Sequence, residues 1–242
     1  MFPIRDHNPS EKIPFVTYIL MALNIIIFAS YWRFLDDPMA LNQVWFDWAM
    51  VPMFINNQEN IYTIFTSIFL HGGILHLAGN MLFLYIFGDN LEEEFGHFGF
   101  LVFYLFCGVA AGMIHVLADP ASMVPTVGAS GAIAGVMGGY LLLFPKARVD
   151  ILIILVIIIR IVPIPAWLML GLWFGLQLAN GLALFAVVNS GGVAYWAHVG
   201  GFVTGMICVI PIWLYRGGLQ FWRRTQGHPQ HPEAQYSYFK YR

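Results

Sequence analysis

Charge is what this sequence has least of. Only 10% of its 242 residues are Asp, Glu, Lys or Arg, against roughly a quarter in a soluble domain. That excludes an ordinary water-soluble enzyme, whose surface needs far more charge. There is no basic excess either, since the formal net charge is −2. A nucleic-acid partner is therefore excluded, because nothing holds a phosphate backbone. Cysteine is scarce: Cys107 and Cys208 both lie in apolar runs, which implies no disulfide framework. What fills the chain is apolar. Hydrophobic residues make up 59% and the mean hydropathy is +0.71. A disordered chain is excluded on the same ground. The composition describes a polytopic membrane protein embedded in a lipid bilayer.

A bilayer core about 30 Å thick takes about 20 apolar residues per helix. The charge-free stretches supply such lengths at Ile13–Trp32, Asn60–Gly88, Phe95–Ala118 and Pro120–Pro145. Within the second, the span falls in Leu75–Gly88 plus the turn before it. Ile161–Tyr215 holds no formal charge and is long enough for two helices. The turn signal Asn189-Ser190-Gly191-Gly192 divides it into Pro165–Phe185 and Val193–Leu214. The expectation is an all-α bundle of six transmembrane helices. Residues 1–12 form a short N-terminal segment, 13–215 the membrane domain, and 216–242 a basic, flexible tail. Asp150–Pro165 is apolar and β-branched, but Arg160, Pro163 and Pro165 interrupt it. It reads as an interfacial or re-entrant piece, with a seventh crossing as the competing reading.

Basic residues decide between the two. With six spans, all but Arg33 of the 11 Lys and Arg residues fall on one side. A seventh span would break that agreement by moving the tail. Six spans with both termini cytoplasmic, in a plasma or inner membrane, is the expected topology. The long first loop, Phe34–Ile61, then lies outside. It mixes acidic and aromatic residues, as an element lying at the interface does.

Polar side chains inside a membrane are costly and default to functional hypotheses. His76 and Asn80 are four apart and share one helix face. Ser130 opens the fourth span, and His198 lies about two turns into the sixth. The topology puts all four in the outer half of the membrane. Ser130 sits in Gly128-Ala129-Ser130-Gly131, followed by Gly135 and Gly139. The sixth span reads Ala197-His198-Val199-Gly200-Gly201, then Gly205. Small residues four apart let two helix backbones approach closely, which would bring Ser130 to His198. A serine hydroxyl becomes a nucleophile when a base takes its proton, and imidazole is the natural base near neutral pH. Ser130 at a helix N-terminus also has free N–H groups nearby to stabilise an oxyanion. No Asp or Glu lies in spans four to six to orient His198. The expected arrangement is a Ser–His dyad. Asn24, Gln177 and Asn180 read as interhelical hydrogen-bonders, and His115 as structural.

These residues resemble the rhomboid family of intramembrane serine proteases over roughly Thr63–Tyr215. The run His71-Gly72-Gly73-Ile74-Leu75-His76-Leu77-Ala78-Gly79-Asn80 is similar to the family's second-span motif. Glu92 with Gly96, Gly128-Ala129-Ser130-Gly131, and Ala197-His198 with Gly201 and Gly205 resemble three further motifs in order. The resemblance implies cleavage of peptide bonds in or beside the transmembrane helices of membrane-protein substrates. By it, Ser130 is the nucleophile and His198 the general base. His76, Asn80 and the Ser130 N–H form the oxyanion hole, and His71 supports the loop. Gly128, Gly131 and Gly201 are supporting positions. No metal or cofactor is implied. The fifth span, with Trp167, Trp173 and Phe174, becomes a lateral gate. Ala134 stands where some members place an aromatic against the base, so Tyr195 and Trp196 are the candidates to hold His198 instead. Glu93 and Glu94 replace residues that are commonly basic.

Rival classes fare worse. A metal enzyme built on His71, His76, His115 and His198 lacks His-Glu-x-x-His and a nearby carboxylate. An aspartyl protease needs a partner for Asp89, and none exists in the spans. A transporter would show repeat symmetry. The strongest alternative is a catalytically inactive rhomboid-like factor that binds membrane proteins, although such proteins usually lose the Ser or the His.

Overall fold

A computed structural model describes residues 2–155, 158–184 and 193–229. In chain order its main elements begin with strand β1 (Phe2–Asp6) and helices α1 (Phe15–Tyr31), α2 (Pro38–Trp48), α3 (Pro52–Asn56) and α4 (Thr63–Thr66). The long α5 (Ile74–Ala118) and the short α6 (Ser130–Leu143) follow. Then come strands β2 (Arg148–Leu155) and β3 (Ile158–Pro165) and helices α7 (Ala166–Leu184), α8 (Tyr195–Tyr215) and α9 (Leu219–Thr225). The turn expected at 189–192, the end of the fifth span at Phe185 and the tail beyond 229 lie outside the described residues.

Among the described residues, four helices are long and apolar enough to cross a membrane: α1 with the turn that follows it, α5, α7 and α8. The chain is a multi-pass integral membrane protein. The second and third expected spans are both inside α5, where helix runs on through the residues expected to link them. At Gly96 the backbone leaves the helical region with φ 69° and ψ 163°. Residues 79 and 112 line the same cavity, yet a straight helix would hold them ~50 Å apart. The two arms therefore double back at Gly96. Only glycine takes that positive φ without strain.

The packing centre is α6. It is buried from Gly131 to Tyr140, and its glycines are the reason. A Cβ on Gly135 would stand 2.5 Å from the Cβ of Cys107 on α5, and one on Gly131 2.6 Å from that of Ala111. Cβ atoms on Gly201 and Gly205 of α8 would run into the carbonyls of Gly131 and Gly135. The close approach of the fourth and sixth spans expected from their small residues is the observed geometry. At 14 residues, α6 is ~21 Å long, shorter than a ~30 Å hydrocarbon core. Its first residue, Ser130, is half-buried and lines a cavity.

Glu92 explains how α1 begins. Its carboxylate is buried on α5 and accepts bonds from Val16 N at 2.9 Å, Thr17 N at 2.8 Å and Thr17 Oγ1 at 2.8 Å. These are orphan N–H groups of the α1 start, and a negative charge there suits the helix dipole. His97 closes the set through Nδ1 at 2.5 Å. Glu94 pairs with Arg216 at 2.7 Å.

The segment read as interfacial or re-entrant is a β-hairpin, and no seventh crossing passes through it. β2 and β3 pair antiparallel from Arg148↔Pro165 to Leu155↔Ile158, so the chain leaves beside where it entered. β1 adds to the other edge of β2, with Phe2↔Leu152 and Asp6↔Val149. The N-terminal segment is thus structured over Phe2–Asp6. Val149, Asp150 and Ile151 of β2 are buried, while Ile159 and Ile161 of β3 are exposed, so β2 is the inner strand of the hairpin. Pro163 and Pro165 are tolerated because β3 is an edge strand.

Candidate active site

Three elements converge below one end of the bundle. Ser130 opens α6, and His198 lies in the first turn of α8, one turn nearer its start than the sequence placed it. His76 and Asn80 share a face of the first arm of α5. Together they line a cavity of about 500 Å³ whose wall also includes Gly128 and Trp173. His198 Nε2 lies 2.8 Å from Ser130 Oγ. Ser130 is held by the start of α6, and His198 by the glycine seam between α6 and α8.

The strand-like segment before Ser130 is clamped on both sides. Thr126 and Met50 exchange backbone bonds at 2.7 and 3.2 Å, and Gly128 N donates to Ser67 O at 2.9 Å. The first loop therefore braces the chain that delivers the serine. Gly128 has φ +132°, and a Cβ there would lie 2.8 Å from His76 Nε2 and 3.5 Å from Ser130 Oγ. Any side chain at 128 would fill the gap between those two groups.

The donors around Ser130 are arranged unequally. Asn80 Nδ2 is buried and has no partner among the described residues. His76 Nδ1 accepts from Gly72 N at 3.4 Å, which leaves its Nε2 on the side of Gly128. The first N–H groups of α6 have no intrahelical acceptor, as at any helix start. His71 is fully buried with neither ring nitrogen bonded among the described residues. Its ring packs edge-on to His76 with centroids 5.1 Å apart. Its backbone is gripped at both ends by Tyr31: the hydroxyl accepts from His71 N at 2.7 Å and donates to His71 O at 2.9 Å. Tyr31 was invisible to sequence reasoning, which had no signal linking α1 to this loop. Among the described residues no three His, Cys, Asp or Glu side chains gather to hold a metal ion. His115 lies on the second arm of α5.

The hydrogen-bond partner at His198 Nδ1 is neither Tyr195 nor Trp196. Gln177 Oε1 on α7 stands 2.8 Å from His198 Nδ1, and the Trp173 ring lies 5.7 Å from the imidazole. Both come from the helix read as a gate. Trp196 packs against Gly181 of α7 instead. The signal that could have found this pair was their spacing: 173 and 177 are four apart and share one helix face.

Comparison with known proteins follows the same outline. The Rhomboid domain family model matches residues 58–215. Rhomboid protein 1, mitochondrial, of Saccharomyces cerevisiae is 29% identical over 79% of this chain and 51% of its own length. Rhomboid protease GluP of Bacillus subtilis is 28% identical over 85% of this chain and 36% of its own. Rhomboid-like protease 3 of Toxoplasma gondii is 36% identical over 38% of this chain and 33% of its own. The chain spans about half or less of the length of these curated relatives. The match runs from the first loop to the end of α8 and takes in every residue of the cavity's polar cluster, and the chain belongs to the rhomboid family.

Proposed function

We propose that this protein is an intramembrane serine endopeptidase that cuts peptide bonds in or next to transmembrane helices of membrane-protein substrates. The observation that carries the reading is the 2.8 Å contact of Ser130 Oγ with His198 Nε2, beside the unpaired Asn80 amide, in a cavity below the bundle surface. Ser130 Oγ attacks the scissile carbonyl as His198 Nε2 takes its proton. The resulting oxyanion is met by Asn80 Nδ2, by the free N–H groups at the start of α6 and by His76. His198 then passes the proton to the leaving amine, and water releases the acyl group by the same route in reverse. Preorganised donors of this kind are worth most where water is scarce.

The same proposal places the two termini in the cytoplasm of a plasma or inner membrane and opens the cavity to the opposite face. Its functional unit is residues 13–215, with the segments on either side accessory. The fifth span, α7, is the side on which a substrate helix would arrive, since it is the least buried of the four long apolar helices.

The test is cleavage of a generic single-span substrate in liposomes by wild type, Ser130→Ala and His198→Ala. Cleavage by wild type alone supports the reading. Cleavage by the variants as well would put the chemistry elsewhere. If nothing cuts and a serine-directed phosphonate leaves Ser130 unlabelled, the protein is an inactive binding factor of the same family.

A further inference from the structure

We propose that Gln177 is a positioning residue that fixes the tautomer of His198 from α7. The proposal rests on the protease reading above. For His198 Nε2 to take the Ser130 proton, that nitrogen must carry a lone pair, so the ring hydrogen must sit on Nδ1. A neutral imidazole has one N–H, and the partner of one nitrogen decides which. Gln177 Oε1 lies 2.8 Å from Nδ1 while Ser130 Oγ lies 2.8 Å from Nε2. The acceptor at Nδ1 and the donor at Nε2 therefore ask for the same tautomer. When Nε2 takes the proton, the Nδ1–H stays on the ring and continues to donate to Gln177. No further proton has to move.

The sequence shows why an amide stands here. α7 is the least buried of the four long apolar helices, and a carboxylate at membrane depth is costly. Gln177 supplies the acceptor without the charge. Trp173, four residues earlier on the same face, covers the imidazole with its ring. Phe174 stacks on Phe202 of α8, centroids 4.7 Å apart, and so seats this part of α7 against α8. The base is oriented only while α7 is docked on α8. The titratable groups acting on His198 are His76 and His115, both on α5. Neither α6 nor α7 carries an Asp, Glu, Lys or Arg, so no charge on those helices substitutes for the amide.

The test uses the full chain in detergent and a small fluorophosphonate probe, whose reaction at Ser130 needs no natural substrate. The labelling rate is measured against pH for wild type, Gln177→Met, Gln177→Glu and Ser130→Ala, with thermal unfolding of each. Gln177→Met should slow labelling on the neutral plateau by on the order of 10- to 100-fold, below the ~10⁴ that follows loss of tautomer control in a full triad. Its melting temperature should stay at the wild-type value, and its acid limb should move to lower pH. Gln177→Glu should restore the rate and move the acid limb to higher pH, because a neighbouring carboxylate favours the imidazolium. If Gln177→Met labels like wild type at every pH while Ser130→Ala does not label, the positioning role falls and the protease reading stands. Equal losses in both variants with lowered melting temperatures would make Gln177 a packing residue, which also overturns the proposal. If wild-type Ser130 is never labelled, both readings fall together.

Discussion

Asn80 carries a buried amide donor that finds no acceptor among the described residues. Leaving such a donor unmade costs about 1–3 kcal/mol, and nothing in the packing of α5 calls for it. A group that is unsatisfied at rest and faces the cavity is suited to an oxygen that becomes charged only during reaction. Asn80→Ala should therefore lower kcat by about 10²–10³ and leave the melting temperature unchanged or slightly raised. Cleavage kinetics and calorimetry on the same preparation check this. A variant that loses stability and activity in parallel would make Asn80 a joint between helices. At this scale the sequence was informative wherever a polar residue stood alone in an apolar run. Ser130, His76, Asn80 and His198 were legible for that reason. Gln177 was legible as polar but not as the partner of His198. A carboxylate is the usual group to orient a catalytic histidine, whereas the membrane favours a neutral amide. Tyr31 was not legible at all, because tyrosine is enriched at the ends of membrane spans whatever its role.

The small sheet is an element whose two carboxylates pull in opposite directions. Asp150 on β2 is buried, which raises its pKa, but bonds and charges from His7 and Arg5 on the N-terminal segment outweigh that and hold it below the usual range. Asp6 on β1 is pushed well above its usual value, chiefly by burial and against the bond from the Tyr140 hydroxyl at 2.6 Å. The signs follow by linkage. Asp150 contributes docking strength that is present above its unfolded pKa, about 3.9, and is lost as pH falls through its lowered folded value. Asp6 contributes strength that is present at low pH and lost as pH rises through its raised value. Near neutral pH, Asp6→Asn should tighten the docking of β1, since an amide oxygen still accepts from Tyr140. Asp150→Asn should loosen it, by about 1.5–3 kcal/mol for bonds to a charged group. Hydrogen exchange of the β1 amides would show protection rising in the first variant and falling in the second. Matching changes in both would mean that neither charge matters to the strand. Sequence reasoning saw the β-branched run of β2 and β3 but gave it no partner. The missing strand lies more than 140 residues away and is only five residues long, and pairing at that distance leaves no local pattern.

The whole molecule has two unlike ends. At one, β1 pairs with β2, Lys146 N donates to Gly227 O at 2.8 Å, and the Trp222 indole donates to Leu142 O at 3.0 Å. The N-terminal strand, the α6–β2 turn and the segment after α9 therefore meet. At the other end, Ser130 opens α6 and the cavity. The distribution of basic residues gave the expectation that both termini lie on one side, because charge is costly in hydrocarbon. The topology read from the sequence put the site in the outer half of the membrane. The 14-residue length of α6 was not readable in the same way, because the charge-free stretch around it ran well past both helix ends. Which face of the membrane each end meets sets the final prediction. With Cys107 and Cys208 replaced by Ala, Ser130→Cys should react with a membrane-impermeant maleimide added from the face opposite the termini, through the aqueous cavity. Ser10→Cys should react only from the other face. Labelling of position 130 from the terminal side, or from neither, would mean that water does not reach the serine by that route. A hydrolytic role for Ser130 would then have no source of its second substrate.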